Sequence, residues 1–159
     1  MINVLLLCIW GAQASPLSAG YKGQPFGATA IATTPPGPEC VHSAPTERVL
    51  HAKWTCPGTI GSQAATVFYQ VAGSVFWGVQ FQVDDCSTQD ASELHAFIVA
   101  NYGIGHVVDD GKASSMVTVG WKDGTNMAVF AYMAKYEMCM FSIFDAAQQS
   151  TASKAEGAL

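Results

Sequence analysis

The sequence predicts an α+β fold: a mainly antiparallel sheet of about five strands in ββαβββ order, with one helix packed on a face. Three observations carry this. Period-two runs of apolar residues bounded by turn signals recur after Gly61. One segment has helical spacing that ends at a glycine. Half of the 159 residues are hydrophobic and only 12% are charged, which supplies ample material for a buried core. The formal net charge is -5, with seven Lys plus Arg spread singly along the chain, so no basic stripe is available to neutralise phosphates. Nucleic acid is not an expected partner.

Residues 1–14, MINVLLLCIWGAQA, have an apolar run over 2–10 followed by Ala12-Gln13-Ala14, the shape of a signal peptide cleaved before Ser15. The run is about half of the roughly 18 apolar residues that a membrane span requires. No transmembrane span is predicted, and the mature chain is expected to be secreted or periplasmic. Residues 15–61 are rich in Gly, Pro, Ser and Thr, with Pro35-Pro36-Gly37-Pro38 just ahead of Cys40. Prolines fix φ and withhold amide donors, so this segment is predicted to be irregular apart from one short strand over 48–54.

Residues 62–145 are assigned to the ββαβββ domain. Residues 66–71 and 75–83 are β-rich and flank Ala72-Gly73-Ser74, a hairpin whose second strand puts Val75, Trp77, Val79, Phe81 and Val83 on one face. Asp90-Ala91-Ser92-Glu93 reads as an N-cap with an acidic residue at N3, and Leu94, Phe97 and Ile98 follow at helical spacing until Gly103. This predicts a helix over 91–102 with those three side chains facing the sheet. Residues 104–111 read as a polar loop. Strands are then expected over 116–121, 127–133 and 138–144, the first two joined at Asp123-Gly124. Residues 146–159 are small and polar without an apolar period and are expected to form a flexible tail.

Once a signal peptide carrying Cys8 is removed, Cys40, Cys56, Cys86 and Cys139 remain, an even number that reads as two disulfides in an oxidising compartment. Three connectivities are open to four cysteines. Loop lengths favour Cys40 with Cys56, inside the irregular segment, and Cys86 with Cys139, tying two elements of the main sheet. No cysteine or histidine pair has the spacing of a zinc site.

His106 beside Asp109 and Asp110 joins a base to two carboxylates, so the alternative function is a small secreted hydrolase using His106 with Asp109 or Asp110. The same residues fit a polar loop, and His95 is expected at the helix flank, solvated or held by a single backbone hydrogen bond. No G-x-S-x-G elbow, H-E-x-x-H helix or phosphate-binding glycine loop is present. No catalytic residue, metal ligand or cofactor is therefore assigned. The binding candidates come from a surplus of apolar side chains on the last strands. Phe130 and Tyr132 alternate with Met127, Val129 and Met133, while Met138 and Met140 alternate with Phe141 and Ile143. One three-turn helix covers only part of one face. Either the N-terminal segment folds over the second face, or a methionine and aromatic patch is left for a protein partner or a second copy. Phe130, Tyr132, Met138 and Met140 are accordingly the candidate binding residues. The expected function is an exported, noncatalytic module binding a protein, an envelope component or a small apolar ligand.

Tyr21-Lys22-Gly23-Gln24-Pro25-Phe26-Gly27 ahead of a cysteine, a helix ending in Tyr102-Gly103, and Trp121-Lys122-Asp123-Gly124 before paired strands form a pattern. In these residues the chain resembles a loose group of small exported bacterial proteins of uncharacterised function. The resemblance spans most of residues 21–145 and implies an α+β fold; its motifs are structural and imply no activity.

Overall fold

Strand structure extends over more of the chain than the five predicted strands. A computed structural model describes residues 17–44, 49, 51–112 and 115–156; the predicted signal peptide, its cleavage site and Arg48 and Leu50 of the short predicted strand lie outside them. The first elements are a two-stranded ribbon of β1 (Gly20–Tyr21) and β2 (Gln24–Pro25), then a 3-10 turn over Ala30–Ala32. Next come β3 (Val41–His42), β4 (Ala52–Ile60), β5 (Gln63–Ala72), β6 (Val75–Val83) and helix α1 (Thr88–Tyr102). β7 (His106–Asp110), β8 (Met116–Asp123), β9 (Asn126–Met133), a 3-10 turn over Ala134–Tyr136, β10 (Met138–Asp145) and α2 (Ala146–Glu156) complete the order. The predicted five-stranded ββαβββ α+β fold is thus corrected to a mostly-sheet architecture. An eight-stranded antiparallel sheet, β3-β4-β5-β6-β10-β9-β8-β7, is accompanied by the ribbon and two helices.

β3 and β7 escaped the prediction, and β4 was foreseen only at its start, as the short strand over 48–54. β4 contains Cys56-Pro57-Gly58, which reads as a break; β3 pairs only with Thr55 and Trp54, so beyond Thr55 the outer side of β4 has no neighbouring strand among the described residues and tolerates a proline. β3 itself is two residues long. β7 occupies the place predicted as a loop: it is an edge strand on which Val107 and Val108 are both exposed, leaving no alternation to detect.

The eight strands form two antiparallel meanders, β3 to β6 and β7 to β10, each followed by a helix, and their last strands meet at the centre of the sheet. There Phe81 pairs with Phe141, and the two rings lie 6.2 Å apart. One face of this seam carries Val79, Phe81, Cys139, Phe141 and Ile143, joined by Val67, Tyr69, Val119, Trp121 and Phe130 in one buried cluster. A register shift between Gln70 and Val71 alters the predicted face of β6. Phe76 joins the main cluster, whereas Trp77 packs with Ala72 and Phe144 away from it.

α1 covers the main cluster. It starts three residues before the predicted position because Ser87 is the N-cap: the Asp90 amide donates to the Ser87 Oγ at 3.1 Å, and the Ser87 amide donates to the Asp90 carboxylate at 3.0 Å. Gly103, with φ 81°, stops it as predicted. Ala91, Leu94 and Ile98 are buried beneath it; Phe97, predicted to face the sheet, is 44% exposed and lies over Gly61 in the β4–β5 turn.

The N-terminal segment packs into the same cluster rather than over the second face. Leu17, Tyr21, Phe26 and Ile31 reach it, the Tyr21 ring lies edge-on to Phe81 at 5.3 Å, and Trp54 Nε1 donates to the Ile31 carbonyl at 2.6 Å. Disulfides join Cys40 to Cys56 and Cys86 to Cys139, so the second ties the entry to α1 to the start of β10. The residues expected to form a flexible tail are instead helical as far as Glu156: the Asp145 carboxylate accepts from the amides of Ala147 at 2.8 Å and Gln148 at 3.2 Å, an N-cap that needs no apolar period.

Candidate binding site

Strand register separates the four candidate binding residues. In β9 and β10 neighbouring side chains alternate between faces, and paired residues share one. Phe130 pairs with Phe141 and is 3% exposed in the core beneath α1, where the His95 ring stacks on it at 5.6 Å. Tyr132 pairs with Cys139 on that same face, its hydroxyl 3.1 Å from the Thr88 hydroxyl. Met138 and Met140 pair with Met133 and Ala131 on the opposite face. The aromatic pair thus belongs to the covered side of the sheet and the methionine pair to the other.

That other face is built from β8, β9 and β10. Met116 pairs with Met133, and Met133 pairs with Met138, so three methionines stand in one row across adjacent strands. Met140 is the next residue along β10 on this face, and Met127, opposite Lys122 and Phe144, lies on it too. The chain has six methionines, and all but Met1 are gathered here. The row borders two concavities that share Met133 and Tyr136. One, of about 290 Å³, is lined by Met133, Tyr136, Met138 and Met140; the other, of about 380 Å³, by Ser115, Met116, Met133, Lys135 and Tyr136. Gln80, buried on β6, donates from its amide nitrogen to the Met140 sulfur at 3.3 Å. The turn that brings Met133 back onto Met138 closes with Glu137 at φ 47°.

The second constellation is dispersed. The Asp109 carboxylate accepts from the Gly111 amide at 2.8 Å, and Asp110 accepts from the Lys112 amide at 3.1 Å and pairs with its ammonium at 2.7 Å. The hydrogen bond from the Lys112 side chain, with that from its amide, holds Asp110 below the usual carboxylate range. Both carboxylates organise the turn after β7. His106 instead lines a cavity of about 250 Å³ with Tyr102, Trp121, Lys122 and Asp123 among its neighbours. Burial raises the Tyr102 phenol above its ordinary value, so it is a poor nucleophile. His95, expected to be solvated or to hold a single backbone hydrogen bond, sits between Trp121 and Phe130, and its buried Nε2 has no hydrogen-bond partner among the described residues. Its position one residue after Leu94 marks the edge of the buried stripe, the only signal that the sequence offers.

Among the described residues no three His, Cys, Asp or Glu side chains gather as a metal-binding group, and no helix is long and apolar enough to cross a membrane. No protein-family model, curated protein or solved structure matches the chain.

Proposed function

We propose that this protein is an exported, noncatalytic binding module whose binding surface is the methionine-lined face of β8, β9 and β10. One observation carries the reading. Leu17, Tyr21, Phe26 and Ile31 pack on the helix side of the sheet, so the described residues of the N-terminal segment add their apolar side chains to the face away from the methionine row. Methionines make adaptable contact surfaces, and a concavity of about 290 Å³ among three of them suits a small ligand or an inserted side chain. The two disulfides and the lack of a membrane-crossing helix among the described residues are consistent with a periplasmic or extracellular location.

The test is saturable binding of an apolar fluorophore such as anilinonaphthalene sulfonate to the folded, oxidised protein. Met133→Lys and Met140→Lys, at partly exposed positions, are expected to remove binding while near-ultraviolet circular dichroism stays native. Binding that persists in both variants would refute the reading, as would concentration-dependent dimerisation that alone accounts for the signal. A hydrolase acting through His106 is the second reading, favoured by the cavity that His106 shares with Asp123. Among the described residues no serine, threonine or cysteine lines that cavity, so His106 would act as general base on a water. Turnover of a chromogenic ester abolished by His106→Ala, with the fold unchanged, would establish it.

A further inference from the structure

The core and the open face use different apolar residues. The buried cluster under α1 is filled by Val, Ile, Leu, Tyr, Trp, Phe, Ala and Cys and holds no methionine, whereas five methionines stand on the far side of three adjacent strands. Packing alone does not call for this division, since β-branched and aromatic residues suit strands better than methionine does. Thioether sulfur is what methionine adds over leucine or isoleucine. It is a soft, neutral donor, and soft donors select soft cations, Cu(I) foremost among biological ones.

We infer that the concavity bounded by Met133, Met138 and Met140 is a binding site for one soft monovalent cation of the Cu(I) type, held by thioether sulfur. The inference rests on the binding surface proposed above and names its ligand class. Met116 stands next to Met133 in register, within reach as a further ligand because adjacent strands lie about 4.8 Å apart and methionine has three rotatable bonds. Gln80 fixes the Met140 sulfur through one lone pair and leaves the other for a cation. The oxidised state of the protein makes this donor set the available soft one: Cys40, Cys56, Cys86 and Cys139 are all consumed in disulfides, so no described cysteine offers a thiolate. Lys135, over the Tyr136 ring at 5.6 Å, brings positive charge to the neighbouring concavity, which opposes a divalent cation more strongly than a monovalent one. Binding leaves the oxidation state of the metal unchanged and releases no proton.

That last property separates this site from a histidine or cysteine site. Ligands that must lose a proton make affinity fall with acid, whereas thioethers carry none. The proton-bearing groups lining the two concavities are Lys135 and Tyr136, and neither is one of the proposed ligands. Affinity is therefore expected to be level between about pH 5 and about pH 7.5.

The experiment titrates the oxidised full chain with Ag(I) in chloride-free buffer, and with Cu(I) anaerobically against a chromogenic Cu(I) chelator, following the methionine ε-methyl resonances. One equivalent is expected to shift the methyls of Met133, Met138 and Met140. Met133→Leu and Met138→Leu keep the apolar area and should weaken binding by at least the roughly tenfold that loss of an outer-shell partner costs at metal sites. The triple leucine variant should not bind Ag(I). In the wild-type chain the two proposals fail separately: fluorophore binding without methyl shifts under Ag(I) overturns the cation site and leaves the surface, whereas absence of both overturns both. Absence of methyl shifts in the wild-type chain, unchanged Ag(I) affinity in the triple variant, or affinity that falls with protonation of a histidine would each overturn the inference.

Discussion

Replacing Cys86 and Cys139 together by alanine tests whether the centre of the sheet is held by the chain or by the bridge. The bond spans 53 residues, against 16 for Cys40–Cys56. Loop-closure entropy then assigns about 4 kcal/mol to the long loop and about 3 kcal/mol to the short one. Both cysteines of the long bridge are essentially inaccessible, and the Cys86 amide also donates to the Glu137 carbonyl at 2.6 Å. The crosslink therefore restricts the entry to α1 and the start of β10 at the point where the two meanders meet. With a urea m-value of about 2 kcal/mol/M, its loss should lower the unfolding midpoint by about 2 M, and loss of the short bridge by about 1.5 M. Against a total stability of about 5–15 kcal/mol, either change is large. Urea unfolding followed by tryptophan fluorescence in both double-alanine variants gives the comparison. A loss under about 1 kcal/mol at Cys86–Cys139, or a larger loss at Cys40–Cys56, would refute the reasoning.

Three further outcomes follow from the packing and the titrating groups. Ile98 is fully buried and Phe97 is 44% exposed, so Ile98→Ala should cost about 3 kcal/mol and Phe97→Ala about 1 kcal/mol in the same unfolding assay. Ser87→Ala should cost about 1 kcal/mol by removing the helix cap. Hydrogen bonds from Ser87 lower the Asp90 pKa, so that contribution is present above the ordinary carboxylate value and lost as pH falls through the lowered one; Asp90→Asn should flatten this part of the acid unfolding profile. Desolvation, aided by the nearby Tyr21 phenol, pushes Tyr69 up to about 12. Stability from its protonated form is full below about pH 10 and is lost as pH rises through that value, so Tyr69→Phe should remove part of the alkaline destabilisation seen by ultraviolet phenolate titration.

Local signals were legible where they had one meaning. Gly73 and Gly124 both take positive φ in the turns where Ala72-Gly73-Ser74 and Asp123-Gly124 predict hairpins, and both favoured cysteine pairs are bonded. Where two readings shared a pattern, composition could not choose. Ser87 to Asp90 and Asp90 to Glu93 both fit a cap with an acidic third residue, and only the first closes reciprocal hydrogen bonds. Phe97 has the spacing of a core residue, yet its rotation about the helix sets it over Gly61. The methionine row was illegible for a different reason. Lys135-Tyr136-Glu137 carries no strong turn signature, and a one-residue slip in that connection would have moved Met138 and Met140 to the face of Phe130.

The division of the sheet into a cored face and a methionine face follows from how its halves are joined. Each meander ends in a helix, but α1 buries Ala91, Leu94 and Ile98 over the central seam, while α2 packs near β5, β6 and the end of β10. The N-terminal strand pair adds Tyr21 to the side that α1 already covers. Among the described residues α1 and the N-terminal strand pair add their cover to one face, and on the other Thr118, Ala131 and Met138 are buried while Met116, Met133 and Met140 are partly exposed. Apolar residues retained in such a place raise the risk of edge and face association. Around Thr118 and Gly120 the apolar residues of this face are methionine, valine and alanine, with Phe144 at its far end; such a surface favours a small or soft ligand over a broad protein interface, since such interfaces concentrate aromatic anchors and arginine. Tyr136, 63% exposed beside both concavities, is the one aromatic side chain placed to close over what binds there.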